Sequence, residues 1–220
     1  MAHALVIGAS KGIGLETVRI ALEAGHRVRA LARSATSMSL THSQLEKVRG
    51  DALVHEDVEA ALQDVDVVIQ TLGVGFKELF GPVHLFSDAT RLLVAAMAAR
   101  AVKRLVCVTG FGAGDSRDSI GALQRLPFHA VFGRAYADKS IQEQLIKEST
   151  LDWTIVRPGV LTGGARTGRY QALDQPSHWR NGFIARADVA DFCVKQIGNS
   201  ASVRKAYVIV KSRRATAAFG

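Results

Sequence analysis

The stretch ALVIGASKGIGLETVRIALEAGHRVRALAR, residues 4–33, places a glycine-rich loop between an apolar run and an amphipathic helix, and a second apolar run follows. Gly8, Gly12 and Gly14 have the spacing G-x-x-x-G-x-G. Gly8 permits a tight turn, Gly12 lets backbone N–H groups approach a phosphate, and Gly14 lets the helix pack closely on the strand. This βαβ pattern predicts a dinucleotide site with its phosphates at the positive end of the first helix.

Apolar runs alternate with helical patterns along the whole chain, which predicts a parallel sheet between two layers of helices. Strands are predicted at residues 4–7, 27–32, 45–50, 66–71, 104–109, 153–157 and 206–210. Helices are predicted at residues 13–24, 58–62, 87–100, 138–148 and 187–197. We therefore expect an α/β fold, a single doubly wound Rossmann-type domain over residues 1–220 with seven strands in the order 3-2-1-4-5-6-7.

Three segments lack clear periodicity, at about residues 74–85, 111–134 and 163–181. Each follows the carboxyl end of a predicted strand, which is the edge where a doubly wound sheet binds its ligands. Long irregular segments in a compact domain are usually functional. We predict that these three segments form the walls of the substrate site.

The end of the second strand indicates which dinucleotide is preferred. Ala32, Arg33 and Ser34 stand there, and no carboxylate is present to accept a bond from a ribose 2′-hydroxyl. Arg33 can form two bonds to a 2′-phosphate, and Lys11 in the glycine loop adds a second cation. The alternative is that both are solvated surface charges. The pair predicts NADP(H) in preference to NAD(H).

Composition excludes several other classes of protein. The net charge of +8 is spread along the chain without a zinc, helix-turn-helix or RNA-recognition signature, so we expect no nucleic-acid partner. No apolar run is long enough to span a membrane, and the first strand leaves no room for a signal peptide, so we expect a cytoplasmic protein. Cys107 and Cys193 have no metal-binding spacing, and we predict neither a metal site nor a disulfide. A monomer and a dimer remain open.

The segment ADKSIQEQLIKESTLDWTIVRPG, residues 137–159, carries a family resemblance. Together with the glycine loop it resembles the atypical short-chain dehydrogenases/reductases, in particular the branch of small NAD(P)H-binding oxidoreductases that includes flavin reductase/biliverdin reductase B. Lys139 and Glu143 occupy the matching helix positions, although a Lys and a Glu four residues apart could also form an ordinary surface salt bridge.

The resemblance implies specific contacts with the cofactor. Asp51 faces the adenine, although a generic turn explains it almost as well, and Lys139 holds the nicotinamide ribose. Residues 186–190 look like the R-x-D-V-A start of a late helix, in which Asp188 can cap the helix. The predicted cofactor-binding residues are Gly8, Ser10, Lys11, Gly12, Ile13, Gly14, Arg33, Asp51, Leu72, Gly73, Lys139, Pro158 and Gly159.

The chain departs from the family pattern at the proton donor. Ala135 stands four residues before Lys139, where the main branch has its catalytic tyrosine, and Tyr136 is displaced by one position. The serine that polarises a carbonyl is also missing, and Thr109 stands in that region. The predicted catalytic residues are Lys139, Tyr136 and Thr109. Further candidate acids in the irregular segments are His84, His129, Tyr170 and His178.

Loss of the aligned tyrosine favours a particular kind of acceptor. A ketone needs a positioned proton donor, whereas a flavin, quinone or linear tetrapyrrole spreads the incoming charge over a conjugated system. We therefore predict an NADPH-dependent reductase of a small conjugated acceptor. Two alternatives stay open: a non-catalytic redox sensor that binds the dinucleotide and a protein partner, and a sugar-nucleotide epimerase or dehydratase.

Overall fold

The computed structural model describes residues 1–75, 82–119 and 122–212. The strands are β1 (His3–Ile7), β2 (Arg27–Ala32), β3 (Leu45–Arg49), β4 (Val67–Gln70), β5 (Arg104–Val108), β6 (Asp152–Pro158), β7 (Val160–Thr162), β8 (Tyr170–Leu173), β9 (Phe183–Ala185) and β10 (Lys205–Lys211). The helices are α1 (Gly12–Glu23), α2 (His55–Ala61), α3 (Leu85–Ala99), α4 (Ala122–Glu148) and α5 (Arg186–Lys195).

The main sheet has eight strands in the order β3-β2-β1-β4-β5-β6-β10-β8. The first seven are parallel, and because β10 is the seventh strand of the prediction, the predicted order is confirmed. The eighth strand, β8, pairs antiparallel with β10 and was not predicted. It lies inside the segment 163–181, so the prediction that this whole segment is irregular was wrong. Only the two end residues of β8 are half-buried, and the apolar alternation that signals a strand is therefore missing.

The central strands bury side chains on both faces of the sheet. In β1, Ala4 and Val6 join a core with residues of α1 and α5, whereas Leu5 and Ile7 join a second core with residues of α2, α3 and α4. Successive side chains of a strand point to opposite faces, so a strand covered by helices on both sides must be apolar throughout. The doubly wound arrangement predicted from the apolar runs is confirmed.

Helix α4 is much longer than predicted. It begins at Ala122, so the second half of the segment 111–134 is helical and not irregular. Pro127 and Gly133 are poor helix formers, and they conceal this helix from sequence-based prediction. Upstream of it, residues 114–119 form a short 3-10 turn. Of the remaining predicted wall, 74–85, residues 76–81 lie outside the described part of the chain.

Candidate cofactor and catalytic site

The glycine loop between β1 and α1 leaves no room for side chains at two positions. Gly8 has a φ of +84°, and a Cβ there would lie 2.9 Å from the carbonyl oxygen of Thr71. A Cβ at Gly14 would lie 2.1 Å from the carbonyl oxygen of Gly8, so only glycine lets α1 pack this closely against the end of β1. The tight turn and the close packing predicted from the sequence are both present.

A cleft of about 890 Å³ crosses the carboxyl ends of β2, β1, β4, β5 and β6. All the predicted site residues except Gly14 and Gly159 line it, namely Gly8, Ser10, Lys11, Gly12, Ile13, Arg33, Asp51, Leu72, Gly73, Thr109, Tyr136, Lys139 and Pro158. Gly14 lies behind the loop. Gly159 packs against Gly182 instead, since a Cβ at position 159 would lie 2.1 Å from the carbonyl oxygen of Gly182.

The charge of the cleft is strongly positive. Among its described lining residues, Asp51 is the only carboxylate, and the cations are Lys11, Arg33, Lys139 and Arg186. Lys11 and Arg33 are exposed, and neither forms an ion pair with any residue that the structure describes. Asp51 lines the cleft and also accepts the N–H of Leu53 at 3.0 Å, which closes a local turn. The turn is therefore observed, and the contact of Asp51 with an adenine stays a prediction.

The cleft fits a dinucleotide. The first turn of α1 faces it at Gly12 and Ile13, and the side chain of the N-cap residue, Lys11, makes no capping hydrogen bond. The initial N–H groups of a helix have no partner within the helix, and they favour negative charge. A pyrophosphate over Gly12 would satisfy them, with Arg33 at one end of the cleft and Lys139 at the other.

Lys139 is held firmly at the end of β5. Its Nζ donates a hydrogen bond to the carbonyl oxygen of Thr109 at 2.5 Å. The ammonium also lies 4.8 Å from the ring centroid of Phe86 and 5.5 Å from that of Tyr136. Burial lowers the pKa of Lys139 to about 8, because desolvation disfavours its charged form. The predicted salt-bridge alternative with Glu143 is not observed, since Glu143 pairs elsewhere.

Tyr136 reaches the end of β5 despite its displacement along α4. A Cβ at Gly110 would lie 2.6 Å from the hydroxyl oxygen of Tyr136, so the tyrosine occupies space that only a glycine leaves free. Its ring makes an edge contact with Phe132, with centroids 6.4 Å apart. Burial raises the pKa of Tyr136 to about 12, which keeps the hydroxyl protonated at neutral pH.

Thr109 serves a buried charge network. Its hydroxyl donates to Oε1 of Glu143 at 2.7 Å, and the fully buried Arg157 donates to both oxygens of the same carboxylate at 2.9 and 2.6 Å. Arg157 also pairs with Asp115 and lies 4.8 Å from the ring centroid of Trp179. Since a hydroxyl has one proton to donate, this arrangement commits the proton of Thr109 to Glu143, and the role of Thr109 as a donor to a ligand stays a prediction. The Glu143–Arg157 pair was also not predicted from the sequence.

Of the other candidate acids predicted from the sequence, one lines the cleft and two do not. His84 lines the cleft at the start of α3. The hydroxyl of Tyr170 instead donates to Asp191 at 2.7 Å, and neither Tyr170 nor His178 lines the cleft. The side chain of His129 lies outside the described residues.

Asp188 was predicted to cap α5, and this prediction was wrong. Its carboxylate is buried and accepts bonds from the backbone N–H groups of Thr167 and Gly168 and from the Thr167 hydroxyl, at 2.7–2.9 Å. None of the hydrogen bonds described for this carboxylate comes from α5, whose N-cap residue is Ala185. Asp188 therefore holds residues 167–168 against α5.

Arg186 is a charged cleft residue that was not predicted from the sequence. Arg186, the first residue of α5, lines the cleft beside Gly12. It is the first residue of the R-x-D-V-A motif, from which only a helix start was predicted. The available signal was an arginine two residues before the Asp of that motif.

The family is settled by comparison with known proteins. A model of the NAD(P)H-binding family matches residues 8–200. The chain belongs to this NAD(P)H-binding family. The match includes the glycine loop, Lys139 and Arg186, so it spans the cleft from end to end. The predicted resemblance to the atypical short-chain reductases is thereby confirmed.

Relatives of this NAD(P)H-binding protein carry different functional names. The uncharacterized sugar epimerase YhfK of Bacillus subtilis is 26% identical over 92% of this chain and 91% of its own length. The chloroplastic protein TIC 62 of Arabidopsis thaliana is 30% identical over 70% of this chain, which is only 26% of TIC 62.

Solved structures agree with the fold. ChuY of Escherichia coli O157:H7, described as an anaerobillin reductase, is 27% identical with a TM-score of 0.78, covering 95% of this chain and 97% of ChuY. A short-chain dehydrogenase/reductase of Veillonella parvula in complex with NADP has a TM-score of 0.79 at 14% identity, covering 96% and 94%, and shows the fold alone. In the described part of the NAD(P)H-binding chain, no helix combines the length and apolar character needed to cross a membrane.

Proposed function

We propose that this protein transfers hydride from NADPH to a conjugated acceptor of the flavin, quinone or linear tetrapyrrole type. The observation that carries the proposal is the buried Ala135, four residues before Lys139, which packs with Val83 and Phe86. An alanine cannot supply the proton that reduction of an isolated carbonyl requires from this position. A conjugated acceptor disperses the incoming charge and depends mainly on alignment with the donor. The name of ChuY supports the same class of reaction.

The residues at this end of the cleft would position the nicotinamide, shield the reacting atoms from water and donate a hydrogen bond to the acceptor. The bound cofactor supplies the hydride. Lys139 would hold the nicotinamide ribose, and the backbone at Pro158 would support the ring. Phe86 and Leu161 line the cleft and would exclude water from the reacting atoms. The protonated hydroxyl of Tyr136 would stabilise developing charge on the acceptor as a hydrogen-bond donor.

Turnover with different acceptors tests the proposal. We expect the purified protein to oxidise NADPH under anaerobic conditions when FMN, a quinone or a linear tetrapyrrole is added, and Tyr136→Phe to reduce kcat by about 10-fold or more. Oxidation without an added acceptor is the control. Tight binding of NADPH and NADP⁺ with no turnover of any acceptor would contradict the proposal and favour a redox sensor. Conversion of a sugar nucleotide, which the name of YhfK suggests, would favour an epimerase.

We propose that NADPH is preferred over NADH because Arg33 binds the 2′-phosphate. Arg33 lines the cleft directly after β2 and has no ion-pair partner among the described residues. Arg33→Gln is expected to raise the Kd for NADPH by about 10- to 100-fold and to leave the Kd for NADH unchanged. Titration calorimetry with both cofactors measures this. Equal Kd values for NADPH and NADH in the unaltered protein would refute the preference.

A further inference from the structure

Arg186 is a cleft residue without an assigned role. It is half-buried, and its Cδ lies 4.0 Å from the position that a Cβ would take at Gly12. No residue in the described part of the chain forms an ion pair or side-chain hydrogen bond with its guanidinium. Arg166 is different, because it pairs with Glu23 at 3.3 Å and with Asp191 at 3.8 Å on the outside of the α1–α5 layer.

The backbone is built to bring Arg186 to this position. The close approach of Gly159 and Gly182 lets the segment before α5 run alongside the end of β6. There β9 pairs with β7, with Ile184 opposite Leu161, and Leu161 itself lines the cleft. The next residue after β9 is Arg186. A side chain at position 159 would clash with the carbonyl oxygen of Gly182 and prevent this path.

A half-buried guanidinium without a carboxylate has lost part of its hydration without gaining a counter-charge. Arginine presents its donors in a planar fork that matches two oxygens of one phosphate. Arg186 lies beside the first turn of α1, whose N–H groups also favour an anion. The guanidinium and these N–H groups both favour a phosphate as the ligand.

We propose that Arg186 binds the pyrophosphate of the dinucleotide beside the glycine loop. The inference rests on the dinucleotide binding of the family and not on the proposed reduction of an acceptor. The pyrophosphate is common to NADH and NADPH, whereas the 2′-phosphate assigned to Arg33 belongs to NADPH alone. Arg186 would therefore contribute to the affinity for both cofactors equally, and Arg33 to the preference between them.

Binding measurements without an acceptor test this assignment. Arg186→Gln is expected to raise the Kd for NADH and the Kd for NADPH by the same factor, about 10- to 100-fold. Arg186→Lys keeps the positive charge but not the planar fork of donors, and should lose less cofactor affinity than Arg186→Gln. The matched control is Arg166→Gln, which removes one positive charge outside the cleft and should change neither Kd by more than about 2-fold. Thermal melting of each variant without cofactor confirms that it is folded.

Three outcomes would overturn the proposal. Unchanged affinity of Arg186→Gln for NADH would exclude a pyrophosphate contact. Weakened binding of NADPH alone would place Arg186 at the 2′-phosphate. Unchanged cofactor affinity together with a raised KM for FMN but not for riboflavin, which lacks the phosphate, would assign Arg186 to a phosphorylated acceptor. Failure of every acceptor to react would leave the binding result intact, so this proposal and the proposed function fail separately.

Discussion

Glu143→Ala is expected to lower the free energy of unfolding by about 3–5 kcal/mol, because it breaks a buried ion pair by removing one partner. The lost carboxylate accepts two bonds from Arg157 and one from Thr109. Arg157 is fully buried, and its remaining charged partner among the described residues is Asp115, whose side chain is 58% exposed. An exposed carboxylate compensates poorly for the loss of a buried one, so most of the desolvation cost of Arg157 is left without an offset.

Urea unfolding of the cofactor-free protein measures this loss. The matched control is Asp88→Ala, which breaks the exposed pair between Asp88 and Arg91 and should cost no more than about 0.5 kcal/mol. A loss for Glu143→Ala no larger than that of the control would mean that the buried pair does not stabilise the fold.

A double variant distinguishes the loss of one charge of this pair from the loss of both. Glu143→Leu combined with Arg157→Met removes both charges and replaces them with apolar side chains of similar length. We expect it to be more stable than Glu143→Ala, because no buried charge is left unpaired. Recovery will be incomplete, since the hydroxyl of Thr109 loses its acceptor at a cost of about 1–3 kcal/mol. A double variant less stable than Glu143→Ala would contradict the charge argument.

The central part of the fold could be predicted because its strands are buried on both faces. Continuous apolar runs such as residues 4–7 and 105–108, set between amphipathic helices, are typical of strands in a parallel sheet that is covered on both sides. Strand β8 could not be predicted, because it is an exposed edge strand. The start of α4 could not either, because Pro127 and Gly133 contradict the helix locally and tertiary structure prevails over propensity.

The geometry of the glycine loop was also predictable, since each glycine acts through local backbone geometry. The interior of the site was not. Arg157 and Glu143 are charged residues of types that are rarely fully buried, and their pairing joins β6 to α4 across the end of β5. A motif indicates which residues are present, but only the structure shows that the hydroxyl of Thr109 points into this pair and that Arg186 lies beside Gly12.

Lys139→Ala is expected to lower kcat/KM for NADPH-dependent reduction by about 100-fold, the cost of misplacing a reactant by roughly 1 Å. Three contacts fix its ammonium: the carbonyl oxygen of Thr109 and the rings of Phe86 and Tyr136. A group held in this way can orient a ribose without further ordering. Steady-state kinetics with varied NADPH measure the effect. A change of less than 3-fold, with the variant folded, would remove Lys139 from the reaction.

The pH dependence tests the same residue independently. Burial lowers the pKa of Lys139 to about 8 in the free protein, so the ammonium is charged at pH 7 and loses its proton as the pH rises towards 9. The charged form attracts an anionic cofactor, and kcat/KM should therefore decline above about pH 8, since this ratio reports the free enzyme. In Lys139→Arg the guanidinium stays protonated throughout this range, and the decline should disappear even if the absolute rate is lower. Tyr136 cannot produce the same decline, because burial raises its pKa to about 12. A decline that persists in Lys139→Arg would therefore come from another group, and Lys139 would then be a structural support for the end of β5.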